Sequence, residues 1–537
     1  MPDTIDTWDK VPVDDGNSWD SSVEVDDYEE LPSTEFPTFP DLEAAEDDLV
    51  YWTRDKSLIL VANAIRAKTG TTEKLSWPIG YRNAIRDMSG GAVAPVEGSE
   101  LMPMFVQKAF SGGIVDASGA VSIIKRSVFA NGLEFVEFPS ATTVELYAFA
   151  SVYTLRSVSL PMVTSINQGT FSSCYSLSTV TTAPINSLGS GAFYMCSNLE
   201  SLNVGNVTIV PESAFYRCEK LPSFNFAHVT KVSRDAFRSC YSLSMAIIPN
   251  LTSLDSNAFA CCSNLKEVQL GDVSIVGSSA FEACWELTSI SGSRVERIYQ
   301  NGFRTCKNFS GELYLPLLKS VSVGAFENMY KLEVLNAPML SSISGGYVFR
   351  DCYKLRSIIQ STALQEMLNT SAYLFAGCSM LTFFDMPNLR QIGASAFQEC
   401  GIISANFPSV SYIGNSAFYS CDSLISVSMP EALRIESKAF CYCGNLVSVN
   451  FPKVSYVGDS AFTSCSRLTT ATFGSATTLS VWIFDACPAL TDLYLPGSTV
   501  CTIANIGKTG IKLHVPASLQ ADYYSRYSAR FTIMPIE

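Results

Sequence analysis

Between Phe129 and Phe484 the chain returns to phenylalanine on a beat of about 22 residues, and no other feature constrains its folding so strongly. The markers are Phe129, Phe149, Phe171, Phe193, Phe215, Phe237, Phe259, Phe281, Phe303, Phe326, Phe349, Phe375, Phe397, Phe418, Phe440, Phe462 and Phe484. A unit of that length cannot bury its own apolar face, so neighbouring units must stack and share one continuous core. A typical unit runs Val163-Thr-Ser-Ile166, a turn, then Phe171, Cys174, Leu177, Val180 and Pro184. Two short β-type runs bracket a tight segment carrying the phenylalanine. Like strands of successive units are expected to pair in parallel, about 4.8 Å apart. The spacing predicts a mainly β solenoid of about 17 coils over 121–496. The beat lengthens between Phe303 and Phe375, and the excess around 358–372 predicts an emerging loop.

Charge divides the chain unevenly. The net charge of −15 arises in residues 1–48, where 17 acidic side chains face Lys10 alone, and the remainder is close to neutral. That front segment also carries Pro12, Pro32, Pro37 and Pro40, and reads as an extended acidic arm. Trp8, Trp19, Tyr28, Phe36 and Phe39 punctuate it and are candidate anchors for docking on another chain. Within residues 49–92, Leu58, Val61, Ala62 and Ile65 mark one apolar helical face, closed by Lys68 and Gly70. Trp77-Pro78 breaks the chain, and Tyr81, Ala84, Ile85 and Met88 repeat the helical spacing before Gly90-Gly91. This helical hairpin is too small to stand on its own core, so it is expected to pack on a neighbour or on an identical copy, making a homo-oligomer. Residues 93–120 read as linker and N-terminal cap. Residues 497–537 read as a C-terminal cap, a strand over 511–516 and a helix over 517–531, because a last coil otherwise presents a bare core and an unpaired edge.

Several function classes have no support in the residues. No Lys/Arg cluster is dense enough to neutralise nucleic-acid phosphates. The apolar run 58–62 is too short to insert in a membrane, and residues 1–20 are acidic and polar where an export signal needs a basic and then an apolar stretch. Fourteen of the 17 cysteines sit three residues after a marker phenylalanine. A column stepping one coil at a time does not converge four ligands on a metal, and adjacent rungs are too far apart for ready disulfides, so these are expected to be buried free thiols. The two histidines, His228 and His514, lie far apart with no nucleophile on a matching beat, and no cofactor motif appears. Gly507-Lys508-Thr509 has a phosphate-loop ending, but Thr502 stands where the earlier glycine is required. No catalytic, metal or cofactor residue is assigned, and a non-enzymatic role is expected.

What remains is surface. One outward column of the second strand reads Ser159, Asn203, Asn225, Gln269, Tyr314, Asn336, Asp385, Asn406, Ser428, Asn450 and Tyr494. An aromatic edge follows the phenylalanine and cysteine markers through Tyr175, Tyr194, Tyr216, Tyr241, Trp285, Tyr330, Tyr353 and Tyr419. Amide-plus-aromatic surfaces suit glycans and proteins alike, while exposed Asn and Ser are also what any solvated strand face carries.

The unit Ile413-Gly-Asn-Ser-Ala-Phe418, followed by Cys421, Leu424, Val427 and Pro430, resembles the BspA-type leucine-rich repeat, and the likeness covers about 370 residues. It implies a leucine-rich-repeat solenoid, a repeat found in bacterial surface adhesins, protozoan surface proteins and phage proteins. The stretch Val61-Ala-Asn-Ala-Ile-Arg-Ala-Lys-Thr-Gly70 with Leu75-Ser-Trp-Pro78 and Ala84-Ile85 is similar to a short module of phage and prophage tail-associated proteins of Gram-positive hosts. The ending Val515-Pro-Ala-Ser-Leu519 with Tyr523 and Tyr527 is similar to the cap closing such repeats there. These resemblances imply a tail or fibre-like virion appendage of a phage. It would be joined to other virion proteins through residues 1–90 and would bind a host cell-surface glycan or protein. A cellular surface adhesin and a purely structural virion decoration protein are the alternatives.

Overall fold

The computed structural model describes residues 114–116, 123–124 and 133–536, apart from 293, 360–371 and 385. The acidic arm with Trp8, Trp19, Tyr28, Phe36 and Phe39, the helical hairpin, Phe129 and nearly all of the expected loop lie outside those residues.

From there the chain winds into a mainly β solenoid of about 18 turns. Every strand pair is parallel and links one coil to the next. Two-residue strands such as Ile209–Val210, Lys231–Val232, Ser253–Leu254, Ile275–Val276 and Arg297–Ile298 form one wall, each pairing with its counterpart a coil away. Longer strands such as Met245–Ile248 and Glu267–Leu270 form the opposite wall. In Glu267–Leu270 exposed and buried residues alternate, the period of two that one buried face imposes. Outward positions are thereby free to vary without cost to the core.

The segment around each marker phenylalanine is built differently. From Phe149 to Phe484, the residues two before and two after the marker sit in the left-handed region, at φ of 51–62° where they are not glycine. Most of these are Ser, Asn, Asp, Arg, Thr, Tyr or Trp, for which that conformation costs on the order of 1–2 kcal/mol each. Hydrogen bonds between coils hold it. In the Phe237 coil the N–H groups of Asp235, Phe237 and Ser239 donate to the carbonyls of Ser256, Ala258 and Ala260 on the next coil, at 3.1, 2.8 and 2.8 Å. The alternate N–H groups of Arg238 and Cys240 close turns inside their own coil. The backbone is thus paired throughout while the phenylalanine is turned inward.

All sixteen described markers are buried, as the spacing predicted. Successive rings stack into one ladder, with centroids 5.1 Å apart at Phe418–Phe440 and 6.2 Å apart at Phe303–Phe326. The wide rung falls where Met329 takes the cysteine position, so a bulkier side chain lies beside the ladder there.

The cysteine column is a second ladder of free thiols. Thirteen of its sulfurs lie within 2.9–3.2 Å of the marker phenylalanine carbonyl one coil earlier, as Cys240 does on Phe215, and donate S–H to it. Cys400 is the exception, lying 3.6 Å from the Leu381 carbonyl. Cysteine suits the position because it packs as a small hydrophobe and still offers a weak donor to a buried carbonyl.

The end of the rod departs from expectation in two ways. The coil pattern runs past 496: Thr502–Ile503 pairs with Thr478–Leu479, and Lys512–Pro516 pairs with Asp492–Tyr494. The helix anticipated over 517–531 is shorter, a 3-10 turn at Ala517–Leu519 and an α-helix at Gln520–Tyr527. Beyond it Thr532–Ile536 forms a further strand, parallel to Lys512–Pro516. Its β-branched and apolar residues extend the wall by one rung, a strand that lies beyond the helix expected over 517–531 and was not anticipated.

The helix closes the core chemically. The Tyr523 hydroxyl accepts from the Cys501 N–H at 2.8 Å, the Tyr527 hydroxyl from the Ile503 N–H at 3.0 Å, and Arg530 donates to the Ile503 and Ala504 carbonyls. Tyr523→Phe should therefore strand a buried N–H and cost about 1–3 kcal/mol. Hydrogen exchange should quicken at 501–516 and leave the coils before Phe462 unchanged. Uniform loss of protection along the rod would show that the cap is not a local seal.

Candidate recognition surface

The aromatic edge anticipated from sequence is two columns. Tyr175, Tyr241, Trp285, Tyr330 and Tyr353 stand four residues after a marker, whereas Tyr194, Tyr216 and Tyr419 stand one residue after it. That offset was legible in the sequence and separates them. The later column is the open one: Trp285 and Tyr353 are each 45% exposed, Tyr175 40% and Tyr241 38%. Tyr194, Tyr216 and Tyr330 are half-buried.

Stacking ties some of these rings together and leaves others apart. Tyr330 stacks on Tyr353 at 5.1 Å, and Tyr194 on Tyr216 at 4.9 Å with Arg238 above the Tyr216 ring. Tyr175 pairs with Tyr153, a residue the sequence reading passed over. Lys307 sets its Nζ 4.6 Å above the Trp285 ring. Burial, and after it the Asp351 carboxylate, pushes the Tyr353 hydroxyl above its ordinary value, so it stays neutral across the physiological range.

In mid-rod the earlier column becomes ionic. Glu282, Arg304, Glu327 and Arg350 alternate in sign on successive coils, with contacts of 3.2, 2.9 and 3.6 Å along the row. The Arg304 Nε–H is not aimed at the Glu327 oxygen 2.9 Å away, so that contact is an ion pair rather than a hydrogen bond. Glu327 is nearly buried between two half-exposed arginines. Glu327→Ala should cost about 1 kcal/mol by denaturant unfolding, and less at high salt. A cost independent of salt would mean that packing, not charge, carries the effect.

The outward amides are partly structural. Asn203 and Asn225 donate to the Thr182 and Val204 carbonyls of the preceding coil, and Asn336 donates to Glu312. Asp385 lies outside the described residues. His514 Nε2 sits 2.7 Å from Asp492 and its ring stacks on Tyr494. The hydrogen bond to that imidazole holds the Asp492 carboxyl below the usual range. Among the described residues no Ser or Cys side chain is hydrogen-bonded to either histidine, and no three His, Cys, Asp or Glu side chains come together as a metal site. No helix among them is long and apolar enough to cross a membrane.

The pattern described as the BspA type leucine-rich repeat region (6 copies) matches residues 115–222, 186–310, 276–400, 312–425 and 369–491, most of the chain. The chain belongs to the BspA-type leucine-rich repeat family. No curated protein matches it. Among solved structures, a leucine-rich repeat protein from Bacteroides ovatus is 19% identical, with 80% of this repeat chain and 96% of that one covered, at a TM-score of 0.46. A leucine-rich cell surface protein from Faecalibacterium prausnitzii is also 19% identical, covering 72% and 90%, at 0.30. The pneumococcal vaccine antigen PcpA is 13% identical, covering 77% and 88%, at 0.35. Likenesses at this level carry nothing about partners. The family match spans 115–491, so the segments resembling tail-associated proteins, before 90 and after 515, lie outside this BspA-type region.

Proposed function

We propose that this protein is a non-enzymatic display rod, fastened to a larger assembly by residues 1–90 and presenting its repeat surface to a host-envelope glycan or protein. In the most specific form of the proposal it is a tail or fibre-like appendage of a phage virion. The observation supporting a recognition role is that the exposed aromatics serve no need of the repeat. Where Tyr175, Tyr241, Trp285 and Tyr353 stand, other coils carry Ser197, Ser263, Ser379 or Gly444 and wind just as regularly. Exposed Tyr and Trp on a rigid scaffold are the residues that dominate interface energetics.

Replacing Tyr241 and Trp285 together by alanine should leave thermal unfolding nearly unchanged. It should weaken adsorption to host cells about tenfold, or about 1.4 kcal/mol. Equal adsorption by variant and parent would favour a structural decoration protein. Immunogold labelling separates the remaining readings: label on released particles supports the appendage, and label on the surface of the producing cell supports an adhesin.

A further inference from the structure

The open aromatic column contains a gap of definite width. Where two aromatics fall on adjacent coils they stack face to face, Tyr153 on Tyr175 at 5.2 Å and 13°, Tyr330 on Tyr353 at 5.1 Å and 16°. Rings in this column therefore lie across the rod, with their faces directed along it. Trp285 shares the orientation, because the Lys307 ammonium from the following coil sits above its ring. The opposite face of Trp285 looks toward the preceding coil, where the column holds the half-buried Ser263, and one coil further stands Tyr241. The core ladder beneath advances 5.3 Å from Phe237 to Phe259 and 5.6 Å from Phe259 to Phe281. Tyr241 and Trp285 are thus two rungs apart, about 11 Å by the two ladder steps. Ring contacts form at centroid separations of about 4.5–7 Å, so the slot has room for one ring and not for two.

The surroundings specify what kind of ring. Ser263 forms the floor, with Ser242 and Asn264 on the neighbouring column. Glu286 spends one carboxylate oxygen on the Asn308 amide, at 3.0 Å, and keeps the other. Lys307 lies on the face of Trp285 away from the slot, and the residues placed between the two walls, Ser263, Ser242 and Asn264, are uncharged. The occupant it fits is apolar on both faces, rich in hydroxyls around its rim, and uncharged. A pyranose with all its substituents equatorial has that form: C–H bonds on both faces and hydroxyls at the edge.

We propose that the slot between Tyr241 and Trp285 binds one gluco-configured sugar unit of a neutral β-linked saccharide chain. This rests on the recognition role proposed above and names the ligand class for the same surface. Titration calorimetry on the full chain with chitohexaose and with cellohexaose should show at least one binding with a dissociation constant of about 1 mM or tighter. Trp285→Ala removes one wall. Ser263→Tyr fills the gap with a stack the fold already carries at Tyr153/Tyr175 and Tyr330/Tyr353. Each should weaken binding at least about tenfold, whereas Ser197→Tyr, which only lengthens the Tyr175 stack, should leave it unchanged. Melting curves followed by circular dichroism confirm that each variant is folded.

Absence of binding to both hexaoses overturns the inference, and so does undiminished binding by Ser263→Tyr. The two proposals fail separately. If Tyr241→Ala with Trp285→Ala abolishes cell adsorption while neither hexaose binds, the surface recognises something else, such as an aromatic side chain of a protein. If a hexaose binds through the slot and adsorption is unaffected, the saccharide site stands and host recognition falls.

Discussion

Replacing Phe237 by alanine should cost about 3–5 kcal/mol and split the unfolding of the rod into two steps. The ring is fully buried, stacked on Phe215 at 5.2 Å and on Phe259 at 5.3 Å, with Phe224 and Phe226 edge-on at 5.1 and 5.4 Å. Removing it opens a cavity walled by four aromatic rings. The left-handed residues Asp235 and Ser239 hold the backbone on either side, so the coil has little freedom to collapse into the space. In a solenoid each coil contacts only its neighbours, so a weakened rung interrupts the cooperativity between the two halves. Phe383 is the control. It is 67% exposed, and its replacement by alanine should change stability by no more than about 0.5 kcal/mol. Denaturant unfolding of both variants measures this directly. A small effect at Phe237, or a large one at Phe383, would mean that the ladder is not what holds the coils in register.

The ladder was legible because its signal repeats. Phe, Cys and Leu return at fixed offsets, and any misreading of one coil is corrected by the next. The left-handed corners were hidden for the opposite reason. Among the described residues glycine fills them only at Gly169, Gly191, Gly324 and Gly377, while elsewhere Asp235, Arg217, Met195 or Trp482 takes the strained conformation because the inter-coil hydrogen bonds compel it. Propensity cannot announce a position that tertiary pairing imposes. The strand Thr532–Ile536 was missed because it pairs only with the cap strand and belongs to no repeat. On the surface, sequence pointed to Tyr241 and Trp285 but not to the gap between them. Ser263 is unremarkable as a serine and becomes informative only once ring orientation is known. The thiol-to-carbonyl bonds were equally invisible, since a buried cysteine reads simply as a small hydrophobe.

Those thiols should make the rod sensitive to alkali. Burial raises the column thiols, with backbone N–H groups only partly offsetting it: Cys174 is pushed up to about 12, and Cys240, Cys262 and Cys284 also lie above the ordinary thiol value. In the unfolded chain the same groups ionise near about 8.5. Because the folded value is the higher one, the protonated thiols contribute their full stability below about pH 8.5. That contribution is lost as pH rises from there toward the folded value. Each thiol that ionises only on unfolding should remove about 1.4 kcal/mol for every further pH unit. Fourteen stand in one column, so a rod that is stable at pH 8 should unfold readily before pH 10, with reductant present to suppress oxidation. A variant carrying Cys240→Ala, Cys262→Ala and Cys284→Ala is less stable at pH 7, because it loses three packed sulfurs and their S–H donors. Its stability should nonetheless fall less steeply between pH 8.5 and 9.5, by about 3 kcal/mol over that unit if the rod unfolds as one, since each unfolded thiol is only half ionised at the start of the window. This window lies below the ordinary titration of tyrosine and lysine, so the change in slope belongs to the thiols. Parallel slopes for parent and variant would show that the sulfurs do not carry the alkaline transition.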